Sequence, residues 1–284
     1  MKAFLTAEWR NLVMMNFVVP EQVLKPHLPN GVELDAFEGK CYVSFVAFHF
    51  LDTKVKGIGF PFHKDFEEIN LRFYVKYPSA DGIKRGVVFI SELVPKRMIT
   101  WIAKLIYQEQ YAYSPIKSKV EQTNQRYLTF EWGKALEYEI KVETALQVQP
   151  IVQGSKEEFI FEHYWGYTSL SAFRTGEYKV EHPRWNIYPV NNFSYNIDFG
   201  KLYGEDFSFL NNMQPDSLFV AEGSEVSVYE PASLTVALRS PVMEGGSLSG
   251  VTERLKVLRR GVDESSLPSS TETWKEAEVV SEPL

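Results

Sequence analysis

The chain holds a single cysteine, Cys41, in 284 residues. An intramolecular disulfide and a cysteine-based zinc cluster are both excluded by that count. Positive charge is scarce too: 30 Lys and Arg stand against 37 Asp and Glu, a net charge of −7. Broad nucleic-acid binding needs a basic stripe, and this acidic balance argues against it. No apolar run approaches the ~20 residues of a membrane span, and the opening MKAFLTAEWR lacks the apolar stretch of a signal peptide. The expectation is a soluble, cytoplasmic protein without a membrane or nucleic-acid partner. There is no HExxH, no P-loop and no GxGxxG behind a strand, and Gly246–Gly250 misses the nucleophile-elbow pattern. The five histidines (His27, His49, His63, His163, His182) show no ligand spacing and are read as packing or surface residues. No metal or cofactor is expected, and Cys41, in an apolar segment, reads as an inert core thiol.

What is abundant is apolar and aromatic. Apolar residues make up 44% and aromatics 14%, with 20 Phe and 15 Tyr. That supports a sizeable core and favours strands, where flat rings pack on pleated surfaces. Trp9 to Val19 reads as a buried strand, followed by a short helix after Pro20. A hairpin is expected over Val32 to Phe50, turning at Glu38-Gly39. Cys41, Val43, Phe45 and Ala47 alternate with Tyr42, Ser44, Val46 and Phe48. Both sets are largely apolar, so this strand should be covered on both faces. Glu67 to Tyr77 is the clearest strand: Ile69, Leu71, Phe73 and Val75 share one face, Glu68, Asn70, Arg72 and Tyr74 the other. Asp81-Gly82 turns the chain into a further strand ending at Val94.

An amphipathic helix is predicted at about 96–109, with Pro95 at its start and Met98, Trp101, Ile102, Leu105 and Ile106 on one face. Strands are expected over Lys117 to Trp132 and Ala135 to Val148. Ser155 to Glu158 reads as a capping box. Further short strands are expected from His163, around Tyr178, over Trp185 to Tyr188 and over Phe219 to Tyr229. Beyond Pro231 the composition turns to Ser, Glu, Gly and Pro. The division is one β domain over 1–232 and a polar, mostly disordered tail over 233–284.

Four groups could carry chemistry. Lys96 precedes Arg97 at a helix start, and a neighbouring cation and a positive helix end both lower a lysine's pKa. On a helical wheel, however, Lys96 lies opposite the apolar face, as a solvated lysine would. Glu68, Asn70, Arg72 and Tyr74 can line a cleft, with Arg72 binding a carboxylate and Glu68 moving a proton; a solvated face with a cross-strand ion pair is the plainer account. Glu92 lies among apolar neighbours, so it is either buried and paired or at a sheet end. The segment His163 to Tyr167 combines aromatics with Gly166, which suits a ligand wall as well as core packing.

GVELDAFEGKCYVSFVAFHF, FEEINLRFYV, RGVVFISELVP and LIYQEQY together resemble the uncharacterised YqjF-like family, grouped with the acetoacetate-decarboxylase-like fold, over about Trp9 to Pro231. The resemblance implies a mainly antiparallel β-barrel or cone with a few short helices and an internal cavity. In the decarboxylase a Schiff-base lysine follows a proline and precedes a second lysine; Pro95-Lys96-Arg97 is similar, with arginine in the second place. Glu68 matches a glutamate that assists there. The expectation is a pocket binding a small carboxylate or carbonyl compound, with Arg72, Asn70, Tyr74, Arg97 and Glu92 as contacts. One alternative is a Schiff-base enzyme, decarboxylase- or aldolase-like, using Lys96 and Glu68. Another is a structural or interaction protein whose tail recruits a partner. A homo-oligomer is compatible with all three.

Overall fold

The computed structural model describes residues 3–59, 61–96, 110–235 and 258–260. The strands in chain order are β1 (Leu5–Val19), β2 (Glu33–Leu34), β3 (Cys41–Val55), β4 (Phe66–Ser79), β5 (Gly82–Val94), β6 (Tyr111–Tyr113), β7 (Ile116–Gln122), β8 (Arg126–Trp132) and β9 (Tyr138–Thr144). They continue as β10 (Gln149–Pro150), β11 (Trp165–Ser171), β12 (Arg174–Glu181), β13 (Asn186–Tyr188), β14 (Val190–Asn196), β15 (Ser217–Val228), β16 (Ala232–Thr235) and β17 (Leu258–Arg260). Among the described residues three short α-helices interrupt them: α1 (Glu21–Leu24), α2 (Lys156–Phe161) and α3 (Phe199–Tyr203). The helix expected at 96–109 lies, but for Lys96, outside the described residues. Among those residues no helix is long and apolar enough to cross a membrane.

The larger sheet curls on itself. Its pairing path runs β15-β1-β3-β4-β5-β11-β12, and β12 meets β15 again through Val180–Val228 and Glu181–Ser227. The sheet is antiparallel except along β5, which pairs in parallel with β11 and with β6. A second, four-stranded sheet (β14-β9-β8-β7) covers part of its outside.

This arrangement explains why β3 is apolar on both faces. Val43, Phe45 and Ala47 pack with Phe130, Trp132 and Ile140 of the second sheet, where Phe45 stacks on Trp132 at 5.3 Å. Tyr42, Val46 and Phe48 face the inside of the curl. β4 divides likewise: Ile69, Leu71, Phe73 and Val75 join the core between the sheets, while Tyr74 joins the inner one.

Two expectations are corrected. The Glu38-Gly39 turn exists, closed by the Phe37–Lys40 bridge, but β2 pairs with β4 and not with β3. No Val32–Phe50 hairpin forms, because Asp35 is drawn toward β4 by its N–H bond to the Tyr74 carbonyl. Lys117 to Trp132 is not one strand but the β7–β8 hairpin, turning at Thr123–Gln125. Downstream, β14 and α3 form where the sequence pattern predicts no element, and β16 (Ala232–Thr235) pairs with β12.

The capping box forms with one difference. The Ser155 hydroxyl accepts from the Glu158 N–H at 3.2 Å, but Glu158 Oε2 accepts from Gly154, one residue before the cap.

The β5–β11 seam carries only two residue pairs. It is reinforced by Lys84 of β5, whose ammonium lies 2.8 Å from Glu177 of β12 and 4.0 Å from the Trp165 ring centre of β11. The Tyr167 hydroxyl also donates to Glu177 at 3.1 Å. Glu177→Gln keeps the shape and removes the buried counter-charge of a partly buried ammonium. We expect it to cost about 2 kcal/mol by urea unfolding; a loss under about 0.5 would mean the pair does not hold the seam.

Candidate functional site

Inside the curl lies a cavity of about 90 Å³. On this measure a water needs roughly 10–15 Å³, so the space suits a few waters or one small organic molecule. Its walls are mostly aromatic and aliphatic, with polar side chains from β4 (Glu68, Asn70, Arg72), β5 (Glu92) and the β11 approach (His163).

Two β-bulges build the walls. On a regular strand only every second residue faces inward. On β5, Val87 and Phe89 line the cavity, and so does Glu92, which lies on the opposite alternation. The register shift between Leu71–Ser91 and Arg72–Phe89 passes over Ile90 and resets the alternation. On β1, Leu5 and Trp9 line the cavity and so does Leu12, across the shift between Arg10 and Val13. Asn11 takes the left-handed conformation there, at φ 59°, which asparagine tolerates better than most residues. Its amide is held from the second sheet by Arg126, and its Nδ2 bonds His49 Nδ1 at 3.1 Å.

The polar groups are arranged in order along β4 and its neighbours. Asn70 Nδ2 donates to Glu68 Oε1 at 3.0 Å, and the Tyr111 hydroxyl donates to Glu68 Oε2 at 3.5 Å. Glu92 sits mid-ladder, with Asn70 opposite on β4 and Tyr111 on β6. Glu68 and Glu92 are 3% and 2% exposed, so both carboxyls belong to the interior. Arg72 makes no ion pair among the described residues; one guanidinium nitrogen reaches Met14 Sδ at 4.0 Å.

His163 stands on a buried support. Its Nε2 donates to Asp35 Oδ2 at 3.1 Å, and Arg85 Nε donates to the same oxygen at 2.6 Å. The ring packs against Tyr74 and Phe159 at 4.8 and 5.1 Å. Burial, helped by the Arg85 and Arg72 charges, lowers His163 to about 4 despite the raising pull of Asp35. At neutral pH the ring is therefore uncharged. Burial raises the Asp35 carboxyl, but the bonds from His163 and Arg85 outweigh it and hold the group below the usual range.

Among the described residues, Trp9 Nε1, Asn70 Oδ1, Arg72 Nε and His163 Nδ1, all on lining residues, are buried with no hydrogen-bond partner. Among the described residues, no cluster of three or more His, Cys, Asp or Glu could hold a metal.

The structure thus brings Glu68, Asn70, Arg72 and Glu92 to one cavity. Tyr74 is not on its lining: its hydroxyl bonds Ser44 at 2.6 Å and its ring backs His163. Lys96 is half-buried and also absent from the lining, and Arg97 lies outside the described residues. Of the His163–Tyr167 segment, His163, Trp165 and Gly166 line the cavity, while Tyr167 belongs to the core between the sheets. Two histidines read as packing or surface residues prove to be lining residues, His163 and His182. His182 stacks on Trp185 at 3.9 Å and also borders an outer groove with Arg10, Glu181 and Ser224. Spacing could not reveal either one. The aromatic-and-glycine segment around His163 was the available signal, but its partner Asp35 is 128 residues away.

A curled, mostly antiparallel sheet around an internal cavity, with few short helices, defines a protein of the acetoacetate-decarboxylase-like fold. The chain belongs to the DUF2071 family, described as an uncharacterized conserved protein (COG2071), which it matches over residues 6–225. It is 26% identical over 112 residues to the uncharacterized protein YqjF of Bacillus subtilis (strain 168), a match covering 39% of this chain and 45% of that relative. Among solved structures it is similar to the enduracididine biosynthesis enzyme MppR complexed with pyruvate, at TM-score 0.56 and 12% identity over 81% of this chain and 90% of that one. It is also similar to an acetoacetate decarboxylase from Legionella pneumophila, at TM-score 0.55 and 11% identity over 81% of this chain and 86% of that one. At these identities the likeness establishes the fold.

Proposed function

We propose that the protein binds a small carboxylate or carbonyl compound in this cavity. The observation that carries the reading is the set of four partnerless polar atoms on residues lining one small space. Leaving a buried polar atom unmatched costs on the order of 1–3 kcal/mol, and a fitting ligand recovers that cost. Arg72 supplies the anchor: a guanidinium beside the cavity that makes no ion pair among the described residues. A structural neighbour complexed with pyruvate lends support, since pyruvate carries both groups.

Thermal shift with pyruvate, acetoacetate and butyrate tests this. The native chain should be stabilised by at least one of them, Arg72→Ala should lose the shift, and Lys96→Ala should keep it. Stabilisation that survives Arg72→Ala and disappears in Lys96→Ala would reverse the assignment.

A Schiff-base enzyme is the second reading, favoured by one observation. Lys96 follows β5 directly, four residues beyond the cavity residue Glu92. In that reading Lys96 is the nucleophile and Glu68 is the acid or base. Borohydride reduction with pyruvate or acetoacetate should then add the corresponding mass to Lys96. Absence of an adduct with both leaves binding alone.

A further inference from the structure

We propose that the cavity selects a small hydroxy- or enol-carboxylate, with Arg72 and Trp9 donating to its acidic oxygens and His163 and Asn70 accepting from its hydroxyl. The proposal rests on the reading that the cavity binds a small carboxylate, and adds which one.

The roles of the four atoms follow from their neighbours. Trp9 Nε1 and Arg72 Nε can only donate. Asn70 is fixed by Glu68: with its Nδ2 donating to Oε1 at 3.0 Å, its partnerless Oδ1 must be an acceptor. His163 is fixed by Asp35, a carboxylate that also receives Arg85. The proton must be on Nε2 to make that bond, which leaves Nδ1 with a bare lone pair. Beside the Glu68 and Glu92 carboxyls, these four atoms therefore add two donors, one of them charged, and two neutral acceptors.

A simple fatty acid matches the donors and leaves both acceptors unsatisfied. A neutral diol matches the acceptors and leaves the Arg72 charge unanswered. A compound with an acidic group and a hydroxyl matches both sets. The volume of about 90 Å³ and the surrounding rings of Phe48, Phe89 and Trp185 keep the remainder small and apolar. Sites that hydrogen-bond a substrate hydroxyl discriminate strongly against the analogue lacking it, because their polar groups are then left unpaired.

Calorimetric titration with lactate, 2-hydroxybutyrate, propionate, butyrate and 1,2-propanediol distinguishes the outcomes. The expected result is that each hydroxy acid binds at least about tenfold more tightly than its deoxy counterpart, and that the diol does not bind. In Asn70→Leu and in His163→Phe, measured separately, the ratio should collapse toward one with the deoxy acids little changed. Either variant suffices, so misfolding of one leaves the test intact. Equal binding of hydroxy and deoxy acids overturns the selection and leaves the carboxylate reading standing. Preference retained in a folded variant also overturns it. If none of the acids binds, the carboxylate reading falls and takes this proposal with it.

Discussion

Gly223→Ala is expected to cost about 3–5 kcal/mol, among the largest losses open to a single methyl group in this chain. Gly223 sits on β15 opposite Arg10, at the β1 bulge, with φ +80°. A side chain in that conformation carries a penalty of roughly 1–2 kcal/mol by itself. The larger part is steric. An added Cβ would lie 1.9 Å from the Trp9 carbonyl oxygen and 2.8 Å from Leu12 Cδ1. The oxygen is backbone in the middle of a paired ladder, so relief means separating β1 from β15. The Arg10 bond to the Gly223 carbonyl, at 3.0 Å, would be disturbed as well. Trp9 and Leu12 both line the cavity, so the same change should weaken any ligand-dependent stabilisation. Urea unfolding gives the first quantity and thermal shift the second. A loss below about 1 kcal/mol would mean that the strands can part cheaply here.

Acid should destabilise the native chain by about 3 kcal/mol through His163 alone. The imidazole titrates near 6.5 when unfolded and at about 4 when folded, chiefly because it is buried. Between those values the unfolded chain holds a proton at this position and the folded chain does not. Stability from this group is therefore complete above about pH 6.5, falls as pH falls, and has gone near pH 4. Asp35, held below its ordinary range, adds a loss of the same sign at still lower pH. Burial lowers His27, His49 and His182 as well, so they contribute a common background. The informative quantity is the difference between the native chain and His163→Gln in unfolding free energy at pH 7 and pH 4. It should be about 3 kcal/mol, and an identical pH dependence in both would refute the assignment. If the variant does not fold, the imidazole resonances of the native chain should show one histidine titrating near 4.

The sequence made β4 legible because its two faces differ in chemistry: aliphatic and aromatic residues on one, Glu68, Asn70, Arg72 and Tyr74 on the other. It made β3 legible for the opposite reason, since two apolar faces require two covers, here the second sheet and the inner core. The Ser155 cap was legible because capping is local. The errors were made where partners are distant. The turn at Glu38-Gly39 is real, yet a turn does not decide which strand β2 joins; that followed from the Asp35 bond to Tyr74 on β4. His163 had no spacing signature because its chemistry comes from Asp35, just after β2, and from Arg85 on β5.

The sequence by itself determined the strand-rich class, the burial of β3 and the polar row of β4, because alternation and composition act within a few residues. Only the tertiary structure decided which side chains share the cavity. Two bulges, at Asn11 and Ile90, shift the alternation and bring Leu12 inward beside Trp9 and Glu92 inward beside Phe89. A bulge depends on the register of the neighbouring strand, and that register is set by contacts far apart along the chain.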